Sequence, residues 1–182
     1  MRHPFHLLLA VSILAGSLAA CKGSGAPVGL ATPEGAFEQI KKALLNRDAD
    51  LMWDSMADKW KETFEKGRQE LVAKPQEEKE NIAKEGMVTA ADIDKMDAKA
   101  FFRFYFNYRN KELYTTTAPE ILEKRTDALK DSTITNLTYI GPDKKNAMLV
   151  FDMGGKSFNI ELIKVGDQWL MDQREGAKSP MP

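Results

Sequence analysis

The chain has 182 residues, with 26 Lys and Arg against 27 Asp and Glu and a formal net charge of −1. This balance excludes the strongly basic surface of a typical nucleic-acid-binding protein, so we expect no nucleic acid as a partner. Both histidines, His3 and His6, lie in the first six residues, and Cys21 is the only cysteine. Beyond Cys21 the usual zinc sites, Ser-His-Asp triads and disulfide frameworks are therefore excluded, and we expect no cofactor.

Residues 1–20 have the layout of a signal peptide. One firm positive charge, Arg2, precedes the apolar stretch Leu7–Ala15, and small residues follow that stretch. The apolar stretch is too short to cross a bilayer, which takes about 20 apolar residues in a helix. The sequence therefore predicts an exported protein whose first 20 residues are removed.

The leader ends in the sequence Leu18-Ala19-Ala20-Cys21, which resembles the lipobox of bacterial lipoproteins. The resemblance implies cleavage between Ala20 and Cys21 and attachment of acyl chains such as palmitate to Cys21. Several acyl chains hold a protein on a bilayer more firmly than one. We therefore expect a lipid-anchored protein of the bacterial cell envelope that faces the periplasm, and Lys22 favours the outer membrane over the inner one. The alternative is an ordinary secretory signal followed by a free cysteine.

Three regions are predicted after the cleavage site. Residues 21–31 hold the acylated cysteine and a Gly-, Ser- and Pro-rich tether, which reaches at most about 35 Å from the bilayer. Residues 32–172 are predicted to form a single α+β domain with a charged helical insertion at about 65–97. Residues 173–182 are predicted to be disordered.

The first helices are predicted from their capping residues. Thr32 and Pro33 start a helix that ends near Asn46, and Asp48 starts the next one. The second helix is predicted to carry one continuous apolar stripe. The members of that stripe are Met52, Trp53, Met56, Trp60 and Phe64.

The middle of the chain is mostly charged, and then aromatic. Pro75 divides the charged part into two helical pieces, of which the second covers 76–84. A capping box at Thr89 predicts a short helix to Met96. The aromatic stretch 98–108 fits a helix or a strand, and the Asp97 cap favours the helix. Two further elements are predicted there, an extended segment over 111–117 and a helix over 119–129.

The last third of the chain is rich in β-branched and aromatic residues that are separated by Gly-containing turns. It predicts four strands in an antiparallel meander, at 133–140, 147–151, 156–165 and 169–171. The fold class is therefore α+β, with N-terminal helices packed on a C-terminal four-stranded antiparallel meander.

A second resemblance concerns the domain. The link Leu45-Asn46-Arg47-Asp48 between two opening helices, and the late turn 166–169 with the sequence Gly-Asp-Gln-Trp, are similar to features of nuclear-transport-factor-2-like domains. The resemblance covers about 32–64 and 118–172. It implies a cone of helices and curved sheet that encloses a pocket, and the charged insertion departs from the family pattern.

The sequence is compatible with three functions. The first is a non-catalytic binding module for an envelope protein or a small apolar ligand. The second is a cofactor-free enzyme of the ketosteroid-isomerase or dehydratase type, in which an Asp carboxylate faces Tyr donors. The third is an assembly partner that uses the charged helices 65–85. No oligomeric state is predicted. The candidate pocket residues are Trp53, Met56, Phe101, Tyr105, Tyr108 and Asp152.

Overall fold

The computed structural model describes residues 29–86 and 88–172. The lipobox 18–21, Lys22, the tether up to residue 28 and the tail 173–182 lie outside the described residues. Within the described ranges the fold is α+β, with seven helices followed by a four-stranded antiparallel meander. The helices are α1 Pro33–Asn46, α2 Ala49–Asp54, α3 Asp58–Val72, α4 Gln76–Gly86, α5 Ala90–Lys95, α6 Ala98–Thr116 and α7 Pro119–Lys130. The strands are β1 Thr133–Ile140, β2 Asn146–Met153, β3 Lys156–Val165 and β4 Gln168–Met171.

The predicted caps start the helices for which they were predicted. The Thr32 hydroxyl accepts a hydrogen bond from the Gly35 N–H at 3.0 Å, and the Asp48 carboxylate accepts one from the Leu51 N–H at 2.9 Å. The link between α1 and α2 is short because Arg47 adopts the left-handed conformation, with φ of 54°. These side chains satisfy backbone donors that a helix start leaves without partners.

The predicted single helix with an apolar stripe from Met52 to Phe64 is wrong. The helix stops after Asp54 and a new one starts at Asp58, because the intervening backbone pairs with the last strand. The Met171 N–H donates to the Ser55 carbonyl at 2.8 Å, and the Ala57 N–H donates to the Met171 carbonyl at 2.9 Å. Tertiary pairing therefore overrides the local helical periodicity at this point.

The aromatic stretch is helical, as the Asp97 cap predicts. The Asp97 carboxylate accepts a hydrogen bond from the Ala100 N–H at 2.7 Å, and α6 continues to Thr116. The predicted extended segment over 111–117 is therefore wrong. The Thr115 hydroxyl donates back to the Lys111 carbonyl at 3.0 Å, which lets this β-branched residue stay within the helix.

An aromatic cluster joins α2, α3 and α6. Phe64 of α3 is fully buried, and its ring centroid lies 4.9 Å from that of Phe102 and 6.4 Å from that of Trp53. The apolar residues Leu71, Ala83 and Ile93 of the charged region are also buried, in the same core. The charged segment is thus exposed on one side and packed on the other.

Ion pairs on the surface support the contact between α2 and α6. The Arg103 guanidinium lies 2.6 Å from the Asp50 carboxylate, and Lys99 lies 3.3 Å from Asp50 and 3.1 Å from Asp54. The hydrogen bond from Arg103 is the main reason that the pKa of Asp50 lies below its ordinary value. Because these groups are exposed, the pairs orient the helices and add little stability.

The sheet follows the chain order β1-β2-β3-β4. Gly154 and Gly155 both have positive φ, which the tight turn between β2 and β3 requires. One face of the sheet carries most of the buried strand residues, and α1 packs against it with the Phe37 and Phe151 rings 4.9 Å apart. The buried residues of the sheet face that packs on the helices are Ala147, Leu149, Phe151, Ile160, Leu162, Trp169 and Met171.

Candidate ligand-binding cleft

A cleft of about 890 Å³ lies at one end of the sheet, where α1 begins. Its walls come from the segment that enters α1, the end of β1, the turn between β1 and β2, the end of β3 and the start of β4. The residues that line it are Ala31, Thr32, Pro33, Glu34, Tyr139, Asp143, Lys144, Lys145, Lys164, Gly166 and Trp169.

The meander brings these segments together. In an antiparallel meander the first and third turns lie at the same end of the sheet, so the β1–β2 and β3–β4 turns converge. The Lys164 N–H donates to the Lys145 carbonyl at 2.7 Å, which fixes the two turns side by side. The Trp169 N–H donates to the Leu30 carbonyl at 2.7 Å, which places the start of α1 at the same end.

Two aromatic rings form an apolar wall of the cleft. The Tyr139 and Trp169 ring centroids are 5.7 Å apart, with the ring planes at 59°. Trp169 is only 5% exposed and belongs to the core, whereas Tyr139 is 45% exposed and faces solvent. A core residue therefore holds an exposed ring in place, and the exposed ring offers a flat apolar surface to a ligand.

The charged residues of the cleft are mostly cationic. Lys144, Lys145 and Lys164 are exposed, and none of them forms an ion pair with the described residues. The Asp143 carboxylate accepts a hydrogen bond from the Lys145 backbone N–H at 3.3 Å and so stabilises the turn. Glu34 is the second acidic residue of the lining. Three ammonium groups beside an aromatic wall can bind an anion that has an apolar part.

The cleft was not predicted from the sequence, although the sequence contains a signal for it. Lys144 and Lys145 follow a Gly-Pro-Asp turn, and Lys164 precedes the Gly166 turn. A predicted meander puts those two turns at one end, so their lysines have to lie close together. The pocket residues predicted from the sequence were instead mostly aromatic and apolar side chains, the usual lining of a pocket, together with Asp152.

Three of the predicted pocket residues lie in the packed interior. Met56 and Phe101 are each 1% exposed and belong to the main core. Trp53 is half-buried, with its ring centroid 5.5 Å from that of Phe102. The residues that line the 890 Å³ cleft include none of these three.

The two predicted tyrosines lie on α6 rather than at the cleft. The Tyr105 ring is 6.0 Å from that of Phe64, and the Tyr108 ring stacks on Phe104 at 6.5 Å. Both tyrosines are half-buried. They therefore share a helix with Phe101 and Phe104 and pack among the helices.

The predicted carboxylate, Asp152, lies at the opposite end of the sheet from the cleft. It stands at the end of β2, and its Oδ1 accepts a hydrogen bond from the Gly155 N–H at 3.2 Å. This bond closes the β2–β3 turn, and Asp commonly has this role beside glycine. The structure therefore separates Asp152 from Tyr139, which is one of the Tyr donors that the enzyme hypothesis considered.

No group of three or more His, Cys, Asp or Glu side chains in 29–86 and 88–172 is arranged to hold a metal ion. No helix in the same ranges combines the length and the apolar character that crossing a bilayer takes.

Comparison with models of protein families finds no match, and comparisons with curated proteins and with solved structures find none either. The resemblance to nuclear-transport-factor-2-like domains therefore stays a prediction.

Proposed function

We propose that this protein is a lipid-anchored protein of the bacterial envelope whose folded domain is a non-catalytic binding module. Cys21 would carry the lipid, and the cleft between α1 and the sheet would hold a small ligand. The observation that supports this proposal most is the position of the cleft. Its first lining residues are Ala31, the last residue of the predicted tether, and Thr32, which follows it, so the cleft would be close to the anchor.

The tether limits how far the cleft can be from the bilayer. The segment from Cys21 to Ala31 reaches at most about 35 Å when fully extended, and less when it is flexible. A ligand of the cleft therefore has to be in the membrane, at its surface or in the periplasm close by. The Lys22 position favours the outer membrane as the site of anchoring.

The experiment compares what co-purifies with the intact lipidated protein and with two neighbouring variants. Tyr139→Ala removes the exposed ring of the cleft, whereas Ile140→Ala removes an equally exposed side chain that alternates to the other face of the sheet. We expect mass spectrometry to find a small molecule with the wild type and with Ile140→Ala that is lost from Tyr139→Ala. Equal recovery from all three proteins would contradict a role for the cleft.

The same preparation tests the anchor. We expect the wild-type protein in the membrane fraction and Cys21→Ser in the soluble fraction, because Ser lacks the thiol to which the lipid is attached. Ser24→Ala is the matched control in the tether and should stay with the membrane. A Cys21→Ser protein that remains on the membrane without its leader would show that lipid on Cys21 is not the anchor.

A further inference from the structure

We propose that the cleft binds the phosphate group of an anionic phosphate ester. This inference rests on the proposed function, because it names the ligand class of the same cleft. Lys144, Lys145 and Lys164 would hold the phosphate, and the Tyr139 ring would pack on the apolar part of the ester.

The cleft brings together three lysines that have no carboxylate partner among the described residues. Other exposed lysines, such as Lys59 and Lys124, also lack ion pairs there, but they do not line the cleft. The cleft contains two carboxylates, yet neither forms an ion pair with the three lysines among the described residues. Three cationic side chains that line one cleft make its electrostatic potential more positive, which favours a bound anion.

The arrangement of the backbone keeps two of these lysines together. Lys145 and Lys164 are joined by the 2.7 Å hydrogen bond between their backbones, so their side chains start from the β1–β2 turn and from the neighbouring end of β3. Lys164 also faces Trp169 across the β3–β4 pair. The cations and the aromatic wall are therefore on connected strands and lie beside the same cavity.

The lysines, rather than the start of α1, would supply the donors. Pro33 has no N–H group, and the Gly35 N–H already donates to the Thr32 hydroxyl. The helix start therefore shapes the cleft. Glu34 and Asp143 in the lining also disfavour ligands with a high negative charge, which suits one phosphate group better than several.

Two sources could supply the phosphate group. One is the headgroup of an anionic phospholipid in the membrane that carries the anchor, and the other is a soluble phosphate ester of the periplasm. The short tether favours the headgroup, since it keeps the cleft near the bilayer. Each lysine that lies close to an anionic bilayer strengthens the binding of a protein to that bilayer about fivefold.

The test measures the acetylation rates of single lysines in the full-length lipidated protein by mass spectrometry. One arm places the protein in nanodiscs of phosphatidylcholine with or without phosphatidylglycerol. The other arm keeps it in a neutral detergent and adds glycerophosphoglycerol or inorganic phosphate. Lys156, exposed at the opposite end of the sheet, is the internal reference.

Two variants with the same change of net charge complete the design. The cleft variant replaces Lys144, Lys145 and Lys164 with Gln, and the control variant replaces the exposed Lys59, Lys124 and Lys156 with Gln. Binding of glycerophosphoglycerol is measured for both by the change in fluorescence of the tryptophans, which include Trp169. We expect the control variant to bind as the wild type does, and the cleft variant to bind at least tenfold more weakly.

Each outcome decides one point. Slower acetylation of the three cleft lysines only with phosphatidylglycerol assigns the lipid headgroup, and slower acetylation with glycerophosphoglycerol or phosphate in detergent assigns a soluble ester. Unchanged acetylation in both arms, or equal binding by the two variants, overturns the phosphate proposal. A co-purifying ligand without phosphate that Tyr139→Ala loses would leave the proposed binding module intact and reject only this inference.

Discussion

Single residues in this protein are explained mainly by their hydrogen bonds to the backbone. Thr32, Asp48 and Asp97 each accept a hydrogen bond from an N–H group near a helix start, and Asp152 accepts one in a turn. All four have side chains that favour such positions, so local sequence is enough to predict them. The hydrogen bond to Asp152 bears on function, because it gives this carboxylate a structural role in the turn, whereas the enzyme hypothesis gave it a catalytic one.

Among the described residues, Glu65 has a pKa well below its ordinary value. Its carboxylate accepts two hydrogen bonds from the Arg68 guanidinium, at 2.6 Å and 2.8 Å, and one from Gln69. These bonds lower the pKa of Glu65 from 4.5 to about 2. The bonds stabilise the folded state above pH 4.5, and this contribution is lost as the pH falls towards 2.

We expect carboxyl-carbon NMR titration to give Glu65 a pKa near 2 in the wild type. The Arg68→Met variant removes the guanidinium, which is the largest cause of the shift, so the pKa of Glu65 should rise towards 4.5. Glu62, an exposed neighbour on α3, serves as the comparison in both proteins. An ordinary Glu65 pKa in the wild type would show that the pair does not persist in solution.

At the scale of elements, α4 and α6 approach closely at Gly86. A Cβ atom built on Gly86 would overlap the Phe104 ring, with Cζ at 2.7 Å and Cε2 closer still. The glycine is therefore required by packing against a neighbouring helix, although glycine weakens a helix by about 1 kcal/mol relative to alanine.

We expect Gly86→Ala to lower the free energy of unfolding by about 1–3 kcal/mol, because the added methyl group overpacks the contact with Phe104. In a Phe104→Ala background the overlap is gone, and the same substitution should raise that free energy by less than about 1 kcal/mol through helix propensity, since Gly86 is the last residue of α4. Urea unfolding of the four proteins measures both effects. A stabilising Gly86→Ala in the presence of Phe104 would disprove the close contact.

The elements also show which parts of the fold were predictable. The order and type of the strands follow from β-branched runs and glycine turns, and most helix starts follow from their caps. The gap at 55–57 was not predictable, because its cause is the pairing with Met171 far along the chain. The helical 111–116 was missed for a related reason, since local β-branched propensity is weaker than continuation of α6 and its contacts. One such contact is the Arg47 guanidinium, which lies 3.7 Å from the centre of the Tyr114 ring.

At the scale of the whole molecule, one core joins the helices and the sheet. The buried residues of α1, α3 and α6 and those of the sheet form one contiguous cluster. Phe64 lies among the helices of this cluster, and Phe151 lies on the sheet. Because the cluster is continuous, we expect the two parts to unfold together.

The Phe64→Ala variant tests this expectation. Loss of a fully buried ring should lower the free energy of unfolding by about 3–5 kcal/mol. Hydrogen exchange should show the loss of protection in α6 and also in β2 and β3, which do not contain the substitution. Tyr139→Ala, at an exposed ring, should leave protection nearly unchanged. If only the helices lost protection, the sheet would be an independent unit.

The backbone pairing of Ser55 and Ala57 with Met171 also has a consequence for biosynthesis. These backbone hydrogen bonds of Ser55 and Ala57 can form only when Met171 is present, almost at the end of the described chain. The hydrogen bond to the Leu30 carbonyl likewise requires Trp169. Contacts between distant parts of a sequence slow folding. A nascent chain of this protein therefore cannot complete the fold of its domain until Trp169 and Met171 have been synthesised.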